Sequence, residues 1–258
     1  MTACPIGSWR KAARGEDAPP AIRSFRIDSH ATGTVPTFVL LHGVGLSHRF
    51  FSPLARILSR TGNVVSFDLP GFGSTQHPTH GMSVEEYTAL IDAELKRLGI
   101  GPAVVVGHSM GAQFAIELAL RNETAVSHLI VSGPVVDPAR RSLRAQAIDL
   151  LRDAPLEPLR TQATVLFDYI RCGIPWFVTE AAAMRDYPTH SRVAGIEHPF
   201  LVIRGEHDPV AKEPWARWLS EQVPSGELKI LPGKRHNVPH SAPAATAAAI
   251  SSFLAQQG

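Results

Sequence analysis

Residues 103–113, Ala-Val-Val-Val-Gly-His-Ser-Met-Gly-Ala-Gln, decide the fold. A short, wholly apolar run ends in Gly107-His108-Ser109-Met110-Gly111, and a helical pattern follows it. A G-x-S-x-G pentapeptide between a buried strand and a helix is a sharp turn that lifts the serine hydroxyl out of the sheet edge. Gly107 and Gly111 are needed there because any side chain would collide with neighbouring backbone. The turn also aims the first amides of the following helix at whatever bonds to the Ser109 oxygen. The pentapeptide alone is common by chance, so its weight comes from this strand–helix setting and from the partners downstream.

Working outward, Arg23 to Asp28 alternate as an edge strand, and apolar strands are expected at 37–41, 63–67, 103–107, 128–132, 199–204 and 227–231. Helical patterns fall at about 49–60, 83–98, 110–121 and 241–256. Strands alternating with helices imply right-handed crossovers and a mostly parallel sheet covered on both faces. Residues 1–21 hold Gly, Pro and mixed charge without periodicity and read as a loose N-terminal arm. About sixty residues between Gly133 and Pro199 break the rhythm; Arg140–Arg152, Leu159–Cys172 and Trp176–Arg185 are helical in character. A structureless loop of that length is improbable. The expected organisation is a core at 22–136 and 196–258 with a helical cap at 137–195, forming a lid over Ser109 at the carboxyl edge of the sheet.

With 258 residues, 44% hydrophobic and a mean hydropathy of +0.01, the chain can bury a large core. A net charge of +2 without a basic block excludes a nucleic-acid partner. Cys4 and Cys172 can form neither a zinc cluster nor a disulfide framework, which points to a reducing, cytoplasmic compartment. The first residues contain no apolar stretch of signal-peptide length, and no run of about 18 apolar residues suggests a membrane span. The histidines lack metal-ligand spacing, and Asp68-Leu-Pro-Gly-Phe-Gly-Ser74 lacks the Gly-Lys-Ser/Thr of a phosphate loop. Neither metal nor organic cofactor is expected.

A serine hydroxyl needs a base to become a nucleophile, and the base needs an orienting carboxylate. In elbow-type chains these follow in the order serine, acid, histidine. Asp208 lies just after the apolar run Phe200–Ile203, and His236 just after the strand ending at Leu231, so both fall on the edge that carries Ser109. Asp137, after the preceding strand, is an alternative acid, though Asp137-Pro138 is also an ordinary turn. An oxyanion needs two donors. The Met110 amide is one, and the Val44 amide in His42-Gly-Val-Gly45 is the chosen second, with Gly45 behind it. His42 reads as a loop anchor and His108 as packing against the strand ends, while Glu206 and His207 point elsewhere. His240 is separated from His236 by Pro239, so no helix presents both on one face.

Taken in chain order, His42–Gly45, Asp68–Ser74, Gly107–Gly111, Gly205–Pro209 and Gly233–His236 resemble the α/β-hydrolase superfamily in its cap-bearing form. The resemblance implies an eight-stranded, mostly parallel sheet and assigns Ser109, Asp208 and His236 as the triad. Serine at 109 differs from the aspartate nucleophile of epoxide hydrolases and haloalkane dehalogenases. Asn237 replaces the tryptophan that many carbon–carbon hydrolases carry after the histidine. The leading expectation is a serine hydrolase cleaving a carboxylic ester or related small acyl substrate. A carbon–carbon hydrolase or lyase with the same triad, and a small-molecule receptor on the same fold, are the alternatives. Gly45, Phe167, Trp176 and Phe177 are expected to bind substrate. Near balance of charge in the cap argues against strong steering of highly anionic substrates. Oligomeric state is left open.

Overall fold

The computed structural model describes residues 20–257. Seven strands form one sheet: β1 (Arg23–Ile27), β2 (Thr37–Leu41), β3 (Asn63–Asp68), β4 (Ala103–His108), β5 (Val126–Ser132), β6 (Phe200–Gly205) and β7 (Gly226–Leu231). Their order is β1-β3-β2-β4-β5-β6-β7, with β1 antiparallel to β3 and every other pair parallel. The eight strands implied by resemblance are thus corrected to seven among the described residues. Seven is also the number of strand-like runs in the sequence from Arg23 onward, since the stretches between them carry helical or turn patterns. Residues 1–19 of the expected arm lie outside the described residues, and Pro20 and Ala21 have no regular structure.

Central strands are apolar without a break because both faces are covered. Successive side chains alternate between two cores. Val39, Leu41, Val105, Leu129, Val131 and Val202 join one, and Phe38, Leu40, Val104, Val106, Ile130 and Leu201 the other. The first core is capped by α2 (Val84–Arg97), α3 (Met110–Arg121) and α8 (Glu213–Glu221). The second is capped by α1 (His48–Leu58) and α9 (Pro243–Gln257). Helix α2 starts at a capping box in which Ser83 and Glu86 satisfy each other's amides. Helix α8 is not among the helices expected from the sequence, because nine residues give too short a pattern between two strands.

Between β5 and β6 the chain forms α4 (Leu143–Asp153), α5 (Leu159–Cys172), α6 (Ile174–Asp186) and α7 (Thr189–Arg192). This insertion is fastened to the core on two sides. Ser47 Oγ, at the N-cap of α1, donates to Asp168 of α5 at 2.6 Å, and Arg49 reaches the same carboxylate at 3.3 Å. On the other side Gln113 of α3 donates to the Met184 carbonyl at 2.9 Å and to Thr189 Oγ1 at 3.0 Å. Among the described residues no helix is long and apolar enough to cross a membrane.

Helix α3 sits directly on the sheet. A Cβ at Gly111 would drive into the Leu41 carbonyl oxygen, and one at Gly107 into the backbone of Gly111. Gly111→Ala therefore lowers the free energy of unfolding by about 2 kcal/mol through backbone displacement, measured by denaturant titration. Gly195→Ala, whose new methyl meets only the end of the Leu120 side chain, is expected to leave the unfolding midpoint nearly unchanged.

Candidate active site

Ser109 occupies the turn between β4 and α3 with φ 55° and ψ −120°, a conformation that non-glycine residues rarely adopt. Its amide donates to the Ser132 carbonyl at 2.9 Å, tying the turn to the end of β5. The residue is 7% exposed. Gly43 lies against it so closely that a Cβ there would stand 2.9 Å from Ser109 Cβ. That brings the His42–Gly45 loop, and with it Val44, beside the hydroxyl, while Met110 begins the helix whose first amides lack internal partners.

His236, 2% exposed, follows β7, and its Nδ1 lies 3.0 Å from Asp208 Oδ2. A carboxylate can only accept, so Nδ1 carries a proton, and in the neutral ring Nε2 presents its lone pair. Nε2 is buried without a hydrogen-bond partner, and no hydrogen bond joins it to Ser109 Oγ. The other carboxylate oxygen of Asp208 accepts from the amides of Val210 and Ala211 at 2.8 and 2.9 Å, which fixes the acid in its turn. Arg204, buried at the end of β6, braces that turn by donating to the carbonyls of Glu206, Asp208 and Ala211 at 3.3, 3.2 and 2.9 Å.

The insertion grips the histidine loop on both sides of His236. Asp153 accepts from Arg235 at 3.1 Å, and Glu157 accepts from the Asn237 amide at 2.9 Å. Thr161 and His240 meet at 2.9 Å just beyond. Burial works against the charged form of His236, but Asp208, then Asp153 and Glu157, outweigh it and hold its pKa above the usual histidine range. Burial pushes Asp153 up to about 6 against the pull of His236 and Arg235. His108 stacks on Phe50 and stands 4.9 Å from the His236 ring. Burial and the neighbouring His236 keep His108 well below the ordinary range, hence neutral.

This geometry has counterparts in known proteins. A model of the alpha/beta hydrolase family matches residues 38–249. The chain belongs to that family. Among its relatives, a 2-(acetamidomethylene)succinate hydrolase of Mesorhizobium japonicum is 22% identical over 86% of this chain and 89% of its own length. A pimeloyl-(acyl-carrier protein) methyl ester esterase of Nitrosospira multiformis is 26% identical over 79% and 89%. An esterase structure from Exiguobacterium antarcticum superposes with a TM-score of 0.77 at 19% identity, covering 90% of this chain and 95% of its own.

Within this alpha/beta hydrolase the expected substrate-binding set divides. A Cβ at Gly45 would meet Phe177 and Tyr169 at 2.8 Å, so these two rings wall the loop beside Ser109. Trp176 instead packs on Gly71 and stacks on His77 at 5.1 Å, which fastens the insertion to the Asp68–Ser74 loop. Phe167 stands apart from both: it is 49% exposed, with the guanidinium groups of Arg49 and Arg171 over its ring. The reason is helical phase, because Thr161, Asp168 and Cys172 set the inward face of α5 and Phe167 falls on the other. Asp137 caps a turn by accepting from the Ala139 amide at 2.8 Å, and Asp208 alone meets His236. His42 bridges the Gly43 carbonyl and the Leu69 amide, the arrangement of a loop anchor.

Tyr169, Asp153, Glu157 and Arg204 were not singled out in the sequence. Arg204 carried a signal, being a charge at the end of the otherwise apolar Phe200–Ile203 strand, where it must find partners. The insertion carboxylates yield a prediction. Glu157→Gln keeps an acceptor for the Asn237 amide but removes a charge that favours the imidazolium. The His236 midpoint, followed by NMR of labelled imidazole, is expected to fall in Glu157→Gln and further in Asp208→Asn. It stays put in Asp149→Asn, whose native carboxylate is paired with Arg140.

Proposed function

We propose that the chain is a serine hydrolase cleaving carboxylic esters or related small acyl substrates, with Ser109 as nucleophile, His236 as base and Asp208 as orienting acid. The observation that carries this reading is the buried Asp208–His236 pair, whose unpartnered Nε2 shares the sheet edge with the strained Ser109 turn. Residues 137–195 are the lid, with Tyr169 and Phe177 walling the acyl site beside Gly45.

Ser109 Oγ attacks the carbonyl carbon as its proton passes to His236 Nε2. Asp208 holds the Nδ1–H and stabilises the imidazolium. Negative charge gathers on the carbonyl oxygen, where the amides of Met110 and Val44 receive it. The carbon–oxygen bond to the leaving group breaks, and His236 gives that oxygen the proton. Water then adds to the acyl carbon, losing a proton to His236, and the acid leaves as the proton returns to Ser109 Oγ. No step calls for a group beyond these residues. Tyr169 and Phe177 exclude water from the acyl side, which strengthens each of these electrostatic interactions.

Ser109→Ala abolishes labelling by a fluorophosphonate probe and leaves at most a residual rate, while circular dichroism stays native. Asp208→Asn lowers kcat roughly ten-thousandfold by losing the imidazolium partner and the correct tautomer, whereas Asp137→Asn is nearly silent. Retained ester turnover in clean Ser109→Ala protein overturns the assignment. Turnover confined to vinylogous diketones moves it to carbon–carbon cleavage.

Only neutral His236 can accept the serine proton, so kcat/KM falls as pH is lowered through the histidine pKa. Because the surrounding carboxylates raise that pKa, the acid limb lies at higher pH than an ordinary histidine would give. A profile flat through the neutral range in single-turnover assays speaks against a histidine base.

A further inference from the structure

The insertion has a second, outward face that the chemistry does not use. Residues 138–178 contain four carboxylates, Asp149, Asp153, Glu157 and Asp168, and all four are buried. Arg141, Arg144, Arg152, Arg160 and Arg171 of the same stretch are exposed. Most of the exposed large apolar side chains among the described residues lie here too. Leu159 is 81% exposed, Ile174 79%, Leu151 73% and Ile170 71%, with Leu156 and Leu166 beside them. Along α5 they are ordered: Leu159, Leu166 and Ile170 recur at helical spacing on the side opposite Thr161, Asp168 and Cys172. Helix α5 is therefore apolar outward as well as packed inward. Among the described residues nothing covers that stripe.

We infer that this arginine-rimmed apolar face docks the protein on an anionic lipid surface. Charge complementarity selects that occupant. Exposed apolar side chains of this density mark an interaction surface, and exposed arginines that outnumber the exposed acids beside them, Asp186 next to Arg141 being one such acid, call for a partner that is negative and apolar together. The headgroup boundary of an anionic bilayer is both, and amphipathic helices of this composition lie in it. A second copy of the chain fits less well, because a twofold contact through this face sets arginines against arginines with no exposed carboxylate of residues 138–178 to answer them. The same turn that exposes Leu151, Leu156 and Leu159 directs Asp153 and Glu157 at the His236 loop. Docking thus places the Ser109 edge next to the lipid and suits acyl substrates that partition there. The surface stands independently of the catalytic reading.

The test is co-sedimentation of the full chain with equimolar phosphatidylglycerol–phosphatidylcholine vesicles and with phosphatidylcholine vesicles alone. Binding is expected to the anionic vesicles and to weaken as salt is raised. A Leu159→Ser/Ile170→Ser double variant and an Arg152→Glu/Arg160→Glu double variant should each bind roughly tenfold more weakly. All four sites are exposed, so folding by circular dichroism and Ser109 labelling by the probe in vesicle-free buffer are expected to persist. Absence of vesicle binding, or binding that both variants retain, overturns the proposal. So does a dimer in gel filtration with light scattering that the same variants dissolve. Loss of Ser109 labelling in the parent protein would instead strike the catalytic reading and leave the vesicle result standing.

Discussion

Backbone-to-backbone contact between α3 and the sheet is the constraint on which the rest depends. It requires the absence of a Cβ at Gly107, Gly111 and Gly43, since each of those positions abuts backbone or Ser109 itself. With the helix seated, the chain has no unstrained route from β4 into α3, and Ser109 takes the positive φ. A residue held this way costs of order 1–3 kcal/mol, offset by the two apolar layers that clamp the sheet. Within this turn the strain falls on Ser109. The same closeness brings the His42–Gly45 loop against it, so the placement of Ser109 and of both candidate oxyanion donors follows from one packing decision.

His236 is the other centre, and its environment is built from two sources. The core supplies Asp208, fixed by two amides and by the buried Arg204 beneath its turn. The insertion supplies Asp153 and Glu157, each gripping a residue adjacent to His236. Beside them the neutral His108 adds bulk without adding charge. A second imidazolium at that distance would cancel much of what the carboxylates provide, so burial of His108 beneath Phe50 belongs to the same electrostatic arrangement. Any motion that lifts the insertion also withdraws two carboxylates from the histidine, so the position of the insertion and the basicity of His236 are coupled.

The core was legible because its signals are local. Strand ends followed by Gly-His-Ser-Met-Gly, Gly-Glu-His-Asp-Pro and Gly-Lys-Arg-His announce turns at one sheet edge, and chain order alone puts the three groups together. The insertion was legible as helices but not as surfaces. Helix α5 exposes most of its large apolar side chains and buries polar ones, so hydrophobicity could not say whether Phe167 or Tyr169 faces inward, although they are two positions apart. The phase is set by Thr161 and Asp168, polar residues that are buried because Ser47, Arg49 and His240 of the core receive them. Those partners are distant in sequence and appear only on folding. Arg204 shows the converse: a charge in an apolar run is visible, yet the three carbonyls that it braces are not.

Charge in this protein is informative by placement and not by sum. The net of +2, and near balance within the insertion, argued against strong steering of highly anionic substrates. Folding sorts that balance into two sides of one element. Asp149 and Asp168 turn inward to pair with Arg140 and Arg49, and Asp153 and Glu157 turn inward to the His236 loop. What is left outside in residues 138–178 is cationic and apolar. The inward side raises the basicity of a histidine, and the outward side faces whatever the protein meets. All four carboxylates of residues 138–178 turn inward while five of the arginines stay exposed, so the negative charge beside His236 and the cationic outer face arise from one partition of the same residues.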